Sequence, residues 1–219
     1  MTPTANVNAR LLATLFLSAA VVSCGGGGGD SPAPPAPAPT PVPPLSQTAV
    51  DVSGTAAPVG IDYWGDNSAA NGGKGETIDG VPCRVMDETF HIHSHLAIVL
   101  NGQLLTIPSQ LGQVAASGST AACFYQIHNH DKAGRLHVEA PAPVNYALGS
   151  FFKIWGQPLT RDNVGGITGL PIVFYVTDNG VVTRYDGDPA AIELRSHRLI
   201  TIQIGSQLSA IPHFTWSGT

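Results

Sequence analysis

HIHSHLAIVLNGQLLTIP, residues 91 to 108, is the stretch whose reading decides the fold. Two β-rich runs flank Asn101-Gly102, a dipeptide suited to the left-handed backbone at both central positions of a tight hairpin. In the first run side chains alternate between faces. His91, His93 and His95 share one face, and Ile92, Leu96, Ile98 and Leu100 share the other. An apolar strand face needs a layer to pack on, and YALGSFFKIW (residues 146 to 155) supplies one. Its Leu148, Phe151, Phe152 and Trp155 recur at helical spacing. PIVFYVTDNGVVTRY (171 to 185) reads as a second hairpin, turning at Asn179-Gly180. LRSHRLITIQIG (194 to 205) ends in a half-buried strand with Ile200, Ile202 and Ile204 on one face.

The order is therefore hairpin, insertion, helix, hairpin, strand. Over roughly residues 93 to 205 this pattern resembles the β-grasp fold of ubiquitin and the small sulfur-carrier proteins. The expected class is α+β: a small, mostly antiparallel β domain, β-grasp-like, with one short helix and an inserted histidine-bearing hairpin. A small β-barrel or sandwich is the alternative.

Upstream, the sequence changes character. LLATLFLSAAVV (residues 11 to 22) is an apolar run too short to span a bilayer as a helix, with the proportions of a signal-peptide core. VVSC at residues 21 to 24, followed by glycines, resembles the lipobox of bacterial lipoproteins, which implies a lipidated Cys24 as the mature N-terminus. GGGGGDSPAPPAPAPTPVPP (25 to 44) has no periodic apolar face and reads as an extended spacer. The expected organisation is a signal peptide at 1–23, a Gly/Pro-rich tether at 24–47 and one histidine-cluster domain at 48–219. That places the protein in the cell envelope, lipid-anchored to a membrane and facing the periplasm or the exterior. Within the domain, residues 48 to 82 are rich in Gly, Asn, Asp and Ser and predict irregular chain. Cys83 and Cys123 are expected to form a disulfide, as paired cysteines of exported proteins do, with metal ligation by one of them as the alternative. The net charge is −5, and falls to −6 without Arg10; with no basic stripe, nucleic acid is excluded as a partner.

Six of the eight histidines fall between His91 and His137. Alternation puts His128 and His130 on one face of their segment, and His137 with Glu139 on one face of theirs. Imidazoles presented by three neighbouring segments are the chemistry of a divalent metal site. Strand geometry limits the set. Residues two apart lie about 6.6 Å apart and those four apart about 13 Å. His91 and His95 cannot both reach one ion on a regular strand, so one of them stands aside or two ions bind. The expected principal site is His93, His95, His128, His130 and His137, with His91 and either Glu139 or Asp131 as extra ligand, orienting carboxylate or base. His197 and His213 read as structural or surface residues. The mature chain keeps one methionine, Met86, which argues against a methionine-rich Cu(I) carrier; imidazole and carboxylate suit copper(II) or zinc.

HIHSHL, then C-x-Y-x-x-H-N-H-D-x-x-G-x-x-H-x-E at 123 to 139, then FFKIWGQP at 151 to 158, resemble a bacterial extracytoplasmic lipoprotein domain family. Asn129 stands where threonine is usual in that family. The family has no settled function, so the resemblance supports the histidine set and adds no reaction. The function expected is an envelope-anchored divalent-metal-binding protein acting as acceptor, buffer or chaperone, served by a metal-delivery partner protein. A metal-dependent hydrolase or oxidase is one alternative, with Glu139 or Asp131 as base. The sequence holds no HExxH, GxSxG or P-loop motif, which weighs against catalysis. A non-metal envelope interaction module is the other.

Overall fold

The computed structural model describes residues 41–54, 57–65, 69, 72–117 and 122–218. These belong to one unit, Thr40–Thr219; the expected signal peptide, Cys24 and most of the tether lie outside the described residues. Strand β1 (Leu45–Asp51) is followed in the order of strands by the two-residue strand β2 (Cys83–Arg84). The segment that opens the sequence reading forms β3 (Phe90–Leu100) and returns as β4 (Gln103–Leu105). The insertion follows as β5 (Gln113–Val114), β6 (Cys123–Tyr125), β7 (Ile127–His128) and β8 (Arg135–Ala140). Helix α1 (Leu148–Trp155) comes next, then the small hairpin β9 (Asn163–Val164) and β10 (Ile167–Thr168). The chain closes with the hairpin β11 (Ile172–Asp178) and β12 (Val181–Tyr185), then β13 (Leu199–Ile204) and β14 (Ile211–Thr215).

The main sheet has seven strands in the order β12-β11-β13-β3-β8-β7, with β4 also paired to β3. Its last long strand, β13, runs parallel to β3 and lies between the two hairpins, while the other pairs are antiparallel. This is the β-grasp-like arrangement the element order predicts, and the sheet does not close into a barrel. Both Asn-Gly turns have left-handed backbone at each central residue: φ 49° and 83° at Asn101-Gly102, 50° and 78° at Asn179-Gly180. The helix presents Leu148, Phe151, Phe152 and Trp155 to the core. Gly156, at φ 80°, ends it by donating its N–H to Lys153 O, while Gln157 donates to Phe152 O.

On the even-numbered face of β3, Leu96 and Ile98 join Ile200, Ile202 and Ile204 of β13 and the helix in the large core. Each such fully buried side chain contributes about 1.5–3 kcal/mol. The odd-numbered face is covered differently. β1 pairs in parallel with β14, and Val52, Ala97, Leu199, Phe214 and Trp216 form a second, smaller core there. This layer corrects two expectations. Leu45–Gln47, read as tether, are the first residues of β1, and the stretch read as irregular begins inside the same strand. Proline-rich extended chain leads into a strand without any change of backbone type, so composition marks no boundary. Cys83 and Cys123 are disulfide-bonded, joining β2 to β6 across a separation of 40 residues.

β3 is longer than the β-grasp-like core needs. Its residues His95–Leu100 pair with β13, and Ile98–Leu100 with β4. Its earlier residues, Phe90 to His95, pair with β8 of the insertion instead.

Candidate metal centre

Three adjacent strands set the site by register alone. His93 of β3 lies opposite His137 of β8, which lies opposite His128 of β7; one step along, His91 faces Glu139. Cross-strand neighbours have Cβ atoms about 4.5–5.5 Å apart, so side chains on one face must meet. Gly134 makes the turn into β8 possible: its φ is 86°, and a Cβ there would sit 2.4 Å from Leu96 O.

The ring nitrogens converge. His91 Nε2 and His93 Nε2 lie 3.2 and 3.0 Å from His137 Nδ1. Glu139 Oε1 is 3.1 Å from that same nitrogen and 3.2 Å from His91 Nε2. On the other flank, His128 Nε2 is 3.2 Å from His130 Nε2 and 3.7 Å from Glu139 Oε2. Donors about 3.4 Å apart are what a tetrahedral ion with 2.1 Å bonds requires. Two overlapping sets of potential ligands result, His128–His130–His137–Glu139 and His91–His93–His137.

Burial tunes these groups for ligation. Desolvation, with neighbouring imidazoles adding to it, pushes His93 and His137 down to about 3. Desolvation also lowers His128 to about 4, against the opposing pull of the Glu139 carboxylate. The rings are neutral at pH 7, the form that binds metal. His128 Nδ1 donates to Tyr125 O at 2.9 Å, which fixes the tautomer and leaves Nε2 with its lone pair toward the cluster. Gln113 Nε2 donates to Asn129 O at 2.7 Å and lies 3.1 Å from His130 Nδ1. Fully buried Asn129 anchors the chain between the two histidines: its amide donates to Pro108 O and Asp131 O, and its oxygen accepts from Leu111 N–H.

The donor set fits a divalent ion on a further ground. His93 Nδ1, His137 Nε2 and Glu139 Oε2 are buried polar atoms that lack a hydrogen-bond partner. Each such atom costs about 1–3 kcal/mol when left unsatisfied, and all three belong to side chains whose other polar atom already faces the cluster. His130 is exposed and His91 is partly exposed, so the cluster is open at both ends. Beside His128 and Glu139 lies a cavity of about 270 Å³, walled by Arg84, Met86, Phe124, Gln126 and Pro141 among others.

Of the residues singled out in the sequence, the structure brings together His91, His93, His128, His130, His137 and Glu139. It does not bring His95 with them. Its ring stacks on Phe214 at 3.8 Å, and its Nε2 donates to Ala133 O at 2.7 Å. His91, expected as an accessory, takes its place. Asp131 is apart as well: its carboxylate accepts from Ala133 N–H and lies 3.9 Å from Arg135, serving the turn before β8. His197 is exposed, stacked parallel to Trp216 at 5.2 Å, and His213 lies on β14; neither is in a ligand set. Sequence reasoning missed Gln113 and the Tyr125 carbonyl. A lone glutamine and a backbone oxygen carry no pattern by which either could have been found.

The fold and cluster together define a β-grasp-like domain whose insertion builds a histidine–carboxylate centre. No protein-family model matches the chain, and neither a curated protein nor a solved structure does so.

Proposed function

We propose that the protein is an envelope-anchored binder of a divalent metal ion, copper(II) or zinc, that acts as an acceptor, buffer or chaperone. The observation that carries this reading is the meeting of five imidazoles and one carboxylate from β3, β8 and the segment of β7, with His93, His128 and His137 buried and held neutral. His95 gives its Nε2 proton to the Ala133 carbonyl; within the cluster, ring nitrogen faces ring nitrogen. The lipobox-like VVSC and the proline-rich spacer support attachment to a membrane through Cys24 and delivery of the ion by a partner protein in the envelope. The likeness of its motifs to the extracytoplasmic lipoprotein domains is consistent with that placement.

The test is metal analysis of untagged protein purified from its own envelope, followed by equilibrium dialysis against Zn(II) and Cu(II). At least one tightly held ion per chain is expected, with loss of binding in the His93→Ala/His128→Ala double variant. Less than one ion per chain, or unchanged binding in that variant, refutes the reading. The cavity beside His128 and Glu139 favours a second reading, a metal-dependent hydrolase or oxidase with small-molecule access to the ion. Turnover by the metal-loaded protein in hydrolase and oxidase screens, lost on removing the metal, distinguishes it from carriage.

A further inference from the structure

The six side chains do not close on one point. They form two groups, and within each the donor atoms lie within 4.8 Å of one another. An ion with bonds near 2.1 Å reaches across donors at most about 4.2 Å apart. A small side-chain movement lets it close on either group, but not on both.

The groups share His137, and the shared ring has two nitrogens whose lone pairs diverge. Nδ1 faces His91 and His93 across the β3 side. The rings of His128 and His130 pack against His137 at 5.4 and 4.5 Å, and β7 lies on the opposite edge of β8 from β3. Nε2 is buried and has no hydrogen-bond partner. Glu139 is divided in the same way: Oε1 lies near His91, and Oε2 lies nearer His128. Each group also has its own exposed or part-exposed histidine, His130 for one and His91 for the other.

Building on the metal reading above, we infer that the centre takes two ions bridged by His137. One ion is held by His91, His93 and His137 Nδ1, and the other by His128, His130 and His137 Nε2, with Glu139 offering one oxygen to each. Bridging through both nitrogens removes the ring N–H. That proton passes to solvent, the two cations offset the charge of the imidazolate left behind, and no electrons are transferred.

The experiment uses the untagged full chain loaded with Cu(II) and freed of excess metal. Copper per chain is counted by mass spectrometry, and the electron paramagnetic resonance intensity is integrated on the same sample. Two copper ions per chain are expected, with spin intensity well below the copper count because unpaired electrons couple through a shared imidazolate. His130→Ala and His93→Ala should each keep one ion at full spin intensity. One ion per chain in the wild type overturns the two-ion centre and leaves the metal reading standing. Two ions at full intensity overturn the bridge, and no bound copper overturns the metal reading itself. Melting curves of each variant separate a lost ion from a lost fold, and the wild-type count and spin depend on no variant.

Discussion

The two halves of β3 follow the same alternation and come to different ends. From His95 to Leu100 both faces are covered: one by the helix, the other by Val52, Phe214 and Trp216. A histidine in that half is absorbed into packing, its ring laid on Phe214 and its proton given to a carbonyl. From Phe90 to Ser94 the odd-numbered face meets β8, and the residues opposite are Glu139 and His137. The same side chain, two positions earlier, becomes part of a polar cluster. What lies across the strand decides whether an imidazole is filler or ligand. Position in the motif does not.

The comparison is broken most directly by exchanging one residue from each half. His95→Ala should leave metal content unchanged while removing a buried stacked ring, at a cost of about 3 kcal/mol. At roughly 2–4 °C per kcal/mol for a domain of this size, thermal melting should show it clearly. His93→Ala should do the opposite: bound metal falls in dialysis, and melting of the metal-free protein changes little, because the ring it removes packs on the polar rings of His91 and His137. If His95→Ala loses metal, the division of the strand is wrong.

Loading the centre should stabilise the fold through the cluster alone. At a free metal concentration of 100 times Kd, mass action raises stability by about 2.7 kcal/mol. The melting temperature of wild type should rise on adding Zn(II), and that of the His93→Ala/His128→Ala variant should not.

Acid should act on both halves of the metal-free protein. The folded rings of His93, His95, His128 and His137 take up protons only near pH 3 to 4, whereas unfolded histidine does so near 6.5. Between those values the unfolded chain binds more protons, so stability is complete above about pH 6.5 and declines as the pH falls toward 4. A melting temperature several degrees lower at about pH 5 than at about pH 7.5 is the expected result, with a smaller drop in His95→Ala. The least of these effects belongs to Gln113→Ala. It frees His130 Nδ1 to water and should change affinity by only a few fold, leaving melting within about 0.5 kcal/mol of wild type.

The sequence carried the main sheet because its signals are local: two Asn-Gly turns, a helix at the right spacing and a strand of alternating isoleucines. It also carried the cluster, since alternation along short segments is a local rule. Which outer histidine of HIHSH would join was not legible. His91 and His95 are symmetric about His93, and the symmetry is broken by Phe214 and Trp216, more than a hundred residues away in a tail with no clear period. The start of β1 was hidden for a similar reason. Its partner is β14, and nothing in LSQTAVD announces a parallel pairing with the far end of the chain.

β3 runs without a break from the insertion into the centre of the sheet, and this makes its ladder with β13 the keeper of the imidazoles' orientation. A slip of a single residue there would rotate His91 and His93 into the hydrocarbon interior and turn Ile92 outward. Selection on the isoleucines of the last long strand is thus also selection on the histidine face, although no atom of those isoleucines belongs to either ligand set.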